Sequence, residues 1–164
     1  FGCYGANLAT WLLKGETPKT VFCSLRHIKP NLYPKVDDEA TIVLEYANTQ
    51  VIIQASWNWP YGRKDMEVYG QNGVIECLNG KDMLVGPKLE DRGKPLVAEA
   101  LPSGLNDPFA YLEGVIRGRI KVQPFDLSAL DNNRIVVQIL EAAKRSAETG
   151  KVVEWGKFFG KKGK

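Results

Sequence analysis

The chain has 164 residues, of which 44% are hydrophobic and 25% are charged, values that are ordinary for a globular domain with a buried core. Its net charge is +3, but several lysines lie in a glycine- and lysine-rich segment at the C-terminus, so the rest of the chain is close to neutral. This distribution argues against a nucleic-acid-binding face, and no apolar run approaches the length of a membrane span.

The first predicted element is a helix in the segment FGCYGANLATWLLKG. Leu8, Trp11 and Leu12 recur at helical spacing and predict its buried face, and Gly15 ends the pattern. The chain starts without a methionine and enters this helix at once, so we expect it to be a piece of a larger protein.

Strands follow the helix. After a strand at Lys19–Arg26, Thr41–Tyr46 and Val51–Trp59 alternate in hydrophobicity and predict an antiparallel hairpin. Turns at Asn72-Gly73 and Asn79-Gly80 predict a further meander, since these dipeptides tolerate positive φ. Its strands are expected at Arg63–Gly70, Val74–Leu78 and Asp82–Val85, with an edge strand within Pro95–Leu101.

Neither side of the strand Val51–Trp59 is fully polar. One side carries Val51, Ile53, Ala55, Trp57 and Trp59, and the other carries Ile52, Gln54 and Ser56. Helices can cover only one face of the sheet, so a second copy of the sheet or a partner domain would cover the other, and we expect self-association through that face.

The C-terminal part is predicted to be helical. Asp107-Pro108 is a typical helix start, and Gly118 ends this segment. Its inner face is expected to contain Phe109, Leu112, Val115 and Ile116. A last helix from about Ser128 to Gly150 is expected to bury Leu130, Val137, Leu140, Ala143 and Ala147, and Val152–Trp155 to add a short strand.

A helix, then consecutive strands, then helices indicate an α+β fold with an open, mostly antiparallel sheet and helices packed on one face. We expect residues 1–155 to form this domain and residues 156–164 to be a basic, flexible tail.

Four segments, in the same order throughout, resemble the C-terminal domain of the Gfo/Idh/MocA oxidoreductases, the relatives of glucose–fructose oxidoreductase and inositol dehydrogenase. They are GCYGANLATWLLKG, VDDEATIVLEYANTQVIIQASWNWP, EVYGQNGVI and EAAKRSAETGKVVEW. The resemblance implies a protein with an N-terminal Rossmann domain that binds NAD or NADP, absent from this chain. It also implies a sugar, polyol or related alcohol as substrate and a homo-oligomer formed through the sheet. A cytoplasmic location is expected, with export left open.

The resemblance also implies where the active site lies. The family has a motif D-x-x-x-H-x-x-D at the start of this helix; Tyr4 occupies the histidine position and Asn7 the final aspartate position. Tyrosine at this position is similar to dihydrodiol and xylose dehydrogenases. Tyr4 is then the catalytic proton shuttle, aided by the helix start and by a lysine of an E-K-P motif in the missing domain, and Asn7 orients the substrate. The simpler interpretations are a half-buried aromatic side chain for Tyr4 and a hydrogen bond to nearby backbone for Asn7.

Trp59 and Arg63 are candidate substrate contacts, because aromatic faces stack on the C–H surfaces of sugars; sheet core or dimer contacts are the equal alternative. His27, the one histidine, is expected to fix a loop, and the pair Asp37-Asp38 to cap one. With three cysteines that lack CxxC spacing, we expect no metal site and no disulfide framework.

No GxGxxG or GxxxxGK[ST] motif occurs, so the isolated chain is expected to hold no cofactor and to be inactive. A non-enzymatic alternative is a sheet-forming dimerisation or binding module of a redox-inactive relative, since the histidine and aspartate of the motif are replaced.

Overall fold

The computed structural model describes residues 2–87 and 93–160. Within these residues there are four helices and eight strands. In chain order they are α1 (Gly2–Leu12), β1 (Thr20–Arg26), β2 (Glu39–Glu45), β3 (Gln50–Ser56), β4 (Met66–Gly70), β5 (Gly73–Cys77), β6 (Asp82–Gly86), β7 (Lys94–Val97), α2 (Pro108–Ile116), α3 (Leu130–Thr149), β8 (Val153–Glu154) and α4 (Trp155–Phe159).

The chain divides into two compact units. The first contains Phe1–Trp59 and Val122–Lys164, and the second contains Pro60–Lys121. The α+β class and the antiparallel pairing are confirmed, but the strands form two four-stranded sheets where the sequence predicted a single open, mostly antiparallel sheet.

The sheet of the first unit has the strand order β3-β2-β1-β8, and every neighbouring pair is antiparallel. The predicted hairpin is β2–β3, in which Ile42 lies opposite Ile53. Because cross-strand partners share a face, the register assigns each row of side chains to one side of the sheet.

One face of this sheet is covered by α1 and α3, as predicted, and holds the core of the unit. The cluster consists of Ala6, Val21, Cys23, Ile42, Leu44, Tyr46, Ile53, Ile135, Val136, Ile139, Ala142, Ala143 and Val153. On the opposite face, Phe22, Val43 and Ile52 form one cross-strand row, and Ile52 is 59% exposed.

The predicted buried face of α1 is wrong. Trp11 and Leu12 are exposed, and the buried residues are Ala6, Ala9 and Thr10. Small residues allow a helix to approach its neighbours closely, whereas a search for apolar periodicity is dominated by large side chains.

The predicted stripe of α3 is confirmed in part. Ala143 is buried, and Leu140 and Ala147 pack against the core, but Leu130 and Val137 are 83% and 62% exposed. The buried side chains are Asn132, Ile135, Val136, Ile139, Ala142, Ala143 and Ser146, which lie about one residue around the helix from the predicted stripe. The helix ends as expected at Gly150, which has a left-handed φ of 67°.

The second unit contains the sheet β4-β5-β6-β7 and α2. Asp107 caps α2, accepting hydrogen bonds from the backbone N–H groups of Phe109 and Ala110. The predicted inner face of α2 is wrong, since Phe109 and Ile116 are 80% and 76% exposed and the buried residue is Gly114. A Cβ at Gly114 would lie 2.6 Å from Ile120 Cδ1, so the glycine permits that contact.

The first residues of the expected flexible tail belong to the helix α4. Trp155 and Phe159 of α4 contact each other at a ring-centroid distance of 4.6 Å, and both pack against the core of the first unit. Residues 161–164 of the expected tail lie outside the described residues. No helix in the described ranges is long and apolar enough to cross a membrane.

Candidate functional site

Tyr4 lies in the first turn of α1 with 66% of its surface exposed, so its ring is presented at the surface of the unit. The residue thus lies at the N-terminal end of the helix. Tyr4 is therefore accessible, and the interpretation as a half-buried aromatic does not hold.

Asn7 lies one turn beyond Tyr4 on the same face of α1 and is partly buried. Its Nδ2 donates hydrogen bonds to the carbonyl oxygen of Leu127 at 3.0 Å and to Oδ1 of Asn133 at 3.2 Å. The donor side of this amide is thus engaged within the protein, and a substrate hydroxyl would have to use its oxygen.

Asn132 and Asn133, at the start of α3, are neighbours of Asn7 that the sequence analysis missed. Asn133 Nδ2 donates to the carbonyl oxygens of Leu127 and Ala129, both at 2.9 Å. Asn132 is fully buried, and its Nδ2 donates to the carbonyl oxygen of Asn7 at 3.5 Å. The sequence feature that could have revealed them is a pair of adjacent asparagines near the start of a predicted helix, where asparagine side chains compete for backbone hydrogen bonds.

Trp59 is partly buried and follows β3 in the first unit. The residue before it, Asn58, donates from Nδ2 to the carbonyl oxygen of Asp38 at 3.0 Å and to its Oδ1 at 3.2 Å. This contact ties the segment after β3 to the loop between β1 and β2, and so holds the backbone that carries Trp59.

Asp38 is the central group of this loop and is 1% exposed. Its carboxylate accepts hydrogen bonds from the backbone N–H groups of Ile28 at 2.8 Å and Lys29 at 2.6 Å. Burial raises the pKa of the Asp38 carboxyl, but these hydrogen bonds and that of Asn58 outweigh it, and the pKa lies below its ordinary value. Asp38 caps the loop, as predicted, and Asp37 is exposed.

Arg63, the remaining predicted substrate contact, belongs to the second unit. Its Nε and Nη2 bind the two carboxylate oxygens of Asp65 at 2.9 and 2.6 Å. The hydrogen bond and charge of Asp65 raise the pKa of Arg63, and the Arg63 hydrogen bond lowers that of Asp65 despite partial burial. Two of the five guanidinium N–H donors are therefore committed to this pair.

The described residues give little support to catalysis by histidine, by a cysteine nucleophile or by a metal ion. His27 Nε2 lies 2.5 Å from the carbonyl oxygen of Tyr33, consistent with the expected loop-fixing role. Burial, followed by the charge of Asp37, raises the pKa of the Cys23 thiol to about 11, which makes this cysteine a poor nucleophile. In the part of the chain that the structure describes, no cluster of three His, Cys, Asp or Glu side chains could hold a metal ion.

A groove of about 460 Å³ lies beside the end of α1. Its lining residues are Trp11, Leu12, Lys14, Pro124, Phe125 and Asp126. Lys14 and Phe125 have φ values of 50° and 62°, and the Phe125 ring lies where a Cβ of Gly15 would be. Tyr4, Asn7, Trp59 and Arg63 do not line it.

Residues 1–76 match the model of the GFO/IDH/MocA C-terminal domain family. The match covers a little under half of the chain, and it includes α1, the first three strands and the start of the second sheet. The resemblance predicted from the sequence is confirmed over these residues. A search of curated proteins gave no significant match.

Solved structures of oxidoreductases have the same fold. The chain is similar to an aldose–aldose oxidoreductase from Caulobacter crescentus, with 20% identity and a TM-score of 0.67 over 93% of this chain and 45% of that one. It is also similar to an oxidoreductase from Thermotoga maritima, with 18% identity and a TM-score of 0.67 over 96% of this chain and 44% of that one. A third similar structure is that of a protein from Sinorhizobium meliloti, provisionally assigned as a myo-inositol dehydrogenase. Its identity is 17% and its TM-score is 0.64, over 93% of this chain and 47% of that one. The chain thus spans about half the length of the structures it matches.

Proposed function

Because residues 1–76 match the GFO/IDH/MocA C-terminal domain, we propose that the chain is the substrate-binding and dimerisation domain of an NAD(P)-dependent oxidoreductase that acts on a sugar, polyol or related alcohol. The observation that carries the proposal is the exposed Tyr4 side chain in the first turn of α1, within the matched residues. The similarity of the fold to an aldose–aldose oxidoreductase supports the substrate class.

In this proposal Tyr4 is the acid and base of the reaction. During oxidation of an alcohol, the Tyr4 oxygen accepts the proton of the substrate hydroxyl, and during reduction it returns that proton to the carbonyl oxygen. Asn7 contributes its side-chain oxygen as an acceptor for a second substrate hydroxyl.

This chain does not itself fit a dinucleotide. A Rossmann site needs parallel strands and a glycine-rich turn before a helix, whereas every strand pair within the described ranges is antiparallel and the sequence has no GxGxxG motif. We therefore assign NAD(P) to a Rossmann domain elsewhere in the complete protein. A nicotinamide cofactor supplies a hydride acceptor when it is bound.

Trp59 is proposed to line the substrate site of the first unit, where it would stack on the sugar ring. Arg63 belongs to the second unit, and its role as a substrate contact stays a prediction. Since the free thiols Cys3, Cys23 and Cys77 suit a reducing compartment, the proposal places the protein in the cytoplasm.

Assembly is proposed to use the uncovered face of the first sheet. Phe22, Val43 and Ile52 lie side by side there, and Phe22 and Ile52 are 40% and 59% exposed. Pairing with the same row of a second copy would bury these side chains in an isologous contact.

The test is Tyr4→Phe in the complete protein, which removes one hydroxyl and keeps the ring. We expect kcat to fall by roughly a hundredfold or more, the usual contribution of a positioned acid or base, while KM and the unfolding midpoint change little. Tyr33→Phe, which changes a loop tyrosine in the same unit, is the matched control and should leave kcat unchanged.

The same measurement distinguishes the alternative. Unchanged turnover in Tyr4→Phe would remove Tyr4 from the mechanism. Absence of any NAD(P)-linked turnover in the wild-type protein, with sugars and polyols as substrates, would favour a redox-inactive dimerisation or binding module.

A further inference from the structure

Three asparagine side chains join α1 to the start of α3. Asn7 donates to the carbonyl oxygen of Leu127 and to Oδ1 of Asn133, at 3.0 and 3.2 Å. Asn133 in turn donates to the carbonyl oxygens of Leu127 and Ala129, both at 2.9 Å, and Asn132 donates to that of Asn7 at 3.5 Å. Asn133 is thus bonded both to α1 and to the backbone that leads into α3.

The side chains that α1 buries are small, so they interdigitate little with their neighbours and do little to fix the register of the helix. Its buried residues are Ala6, Ala9 and Thr10, and Gly5 faces Ile53. Long side chains usually set the register of a helix because they interdigitate with their neighbours. Short side chains leave that task to directional contacts, and the amides of Asn7 and Asn133 provide them.

The cluster of amide side chains formed by Asn7, Asn132 and Asn133 is not the arrangement of greatest stability. Asn132 is fully buried, and its Oδ1 has no hydrogen-bond partner among the residues that the structure describes. A buried acceptor without a partner destabilises a fold, and an apolar side chain of similar size would avoid that cost. Polar groups in such places are known to select one register at the expense of stability.

We propose that Asn133 is a positioning residue, which holds α1 in one register through Asn7 and so sets where the Tyr4 hydroxyl lies. The inference rests on the function proposed for Tyr4. A slip of one residue would rotate α1 by about 100° and move it by about 1.5 Å along its axis. A reacting group must be placed within about 0.5 Å, so loss of this contact would misplace the phenol without removing it.

The first experiment compares Asn133→Ala with Ser146→Ala in the complete protein. Ser146 is buried on the same helix, accepts a hydrogen bond from the backbone N–H of Cys23 and donates to the carbonyl oxygen of Lys151, so its loss also destabilises the unit. It lies about 20 Å further along α3. We expect Asn133→Ala to lower kcat by roughly 10- to 100-fold with little change in KM, and Ser146→Ala to lower only the unfolding midpoint.

A double variant tests whether Asn133 acts through Tyr4. If it does, Asn133→Ala should add no further loss of kcat in a Tyr4→Phe background. Additive losses, or an Asn133→Ala variant with wild-type kcat, would overturn the inference while leaving the proposed function of Tyr4 intact.

A third measurement does not depend on turnover. With 3-fluorotyrosine at position 4, Asn133→Ala should displace or split the fluorine resonance, and Ser146→Ala should leave it unchanged; an unchanged resonance in Asn133→Ala would overturn the inference. Should Tyr4→Phe retain full turnover, the proposed function fails, and this spectrum still decides whether Asn133 positions Tyr4. If Asn133→Ala does not fold, Asn133→Leu keeps a similar shape but removes the acceptor for Asn7, and the same measurements and outcomes apply.

Discussion

At the scale of single residues, Asp38 shows how a buried charge organises the unit. Its carboxylate accepts two backbone hydrogen bonds from Ile28 and Lys29, and Asn58 binds it from the segment after β3. The ionised form is therefore preferred in the folded state, and the pKa of Asp38 is lowered despite the opposing effect of burial. Folding stability should accordingly depend on this carboxyl in a defined pH range.

Replacement of Asp38 by asparagine should lower the unfolding midpoint at neutral pH. Because the folded-state pKa lies below the unfolded value of about 3.9, the contribution of the carboxylate is fully present above about pH 5 and is lost as the pH falls towards the folded pKa. The difference in urea midpoint between wild type and Asp38→Asn should thus shrink below about pH 4. The exposed neighbour is the control: Asp37→Asn should change the midpoint little, and a difference that is constant across pH 2 to 7 (roughly the range in which carboxyls titrate) would contradict the assignment.

At the scale of elements, Gly5 allows α1 to pack closely against β3. A Cβ on Gly5 would lie 2.5 Å from Cγ2 of Ile53, a stiff β-branched side chain that is 7% exposed. Gly2, at the start of the same helix, would place a Cβ 3.3 Å from Cδ1 of Ile42, the far end of a flexible side chain. The two glycines therefore offer a matched pair on one helix.

Gly5→Ala should destabilise the first unit by about 1–3 kcal/mol through overpacking, although alanine itself favours a helix by up to about 1 kcal/mol. Gly2→Ala should be close to neutral. In an Ile53→Ala background the clash is absent, so Gly5→Ala should become neutral or stabilising, as measured by a double-mutant cycle of chemical unfolding. Equal effects of Gly5→Ala in both backgrounds would contradict the contact.

At the scale of the whole molecule, the proposed self-association through the first sheet can be tested at two neighbouring residues of β3. Ile52 and Ile53 are adjacent on β3, but Ile52 is 59% exposed and Ile53 is 7% exposed in the core. We predict that Ile52→Lys dissociates the oligomer with its circular dichroism retained, and that Ile53→Lys unfolds the unit. Sedimentation velocity distinguishes the cases, and an Ile52→Lys variant with the wild-type sedimentation coefficient would exclude this face as the interface.

The separated chain should not bind NAD or NADP with measurable affinity, because its strands form no Rossmann crossover and its sequence lacks a glycine-rich phosphate-binding motif. Isothermal titration of the purified chain tests this expectation, with the complete protein as the positive control. Stoichiometric binding by the chain would contradict the assignment of the cofactor to another domain.

Local sequence determined the elements of this protein and much of their pairing. Alternation and turn dipeptides predicted β2, β3 and the meander, because the side-chain period of a strand and the φ demands of a turn are local properties. The caps Asp107 and Gly150 were predicted for the same reason, since each acts on neighbouring backbone groups. The ordered motifs also predicted the resemblance to the family whose model matches residues 1–76, and they directed attention to Tyr4 on α1.

Tertiary structure alone decided which sides of the helices are buried and what holds α1 in place. The large residues Trp11 and Leu130 are exposed, while Ala6 and Asn132 are fully buried, because burial depends on which surface a distant segment approaches. The hydrogen bond between Asn7 and Asn133 spans 126 positions in sequence, and no local pattern encodes such a contact. The sequence by itself therefore determined roughly where α1, α2 and α3 begin and end but missed α4, whereas the packing of α1 against α3 and β3 decided how the candidate catalytic residue is presented.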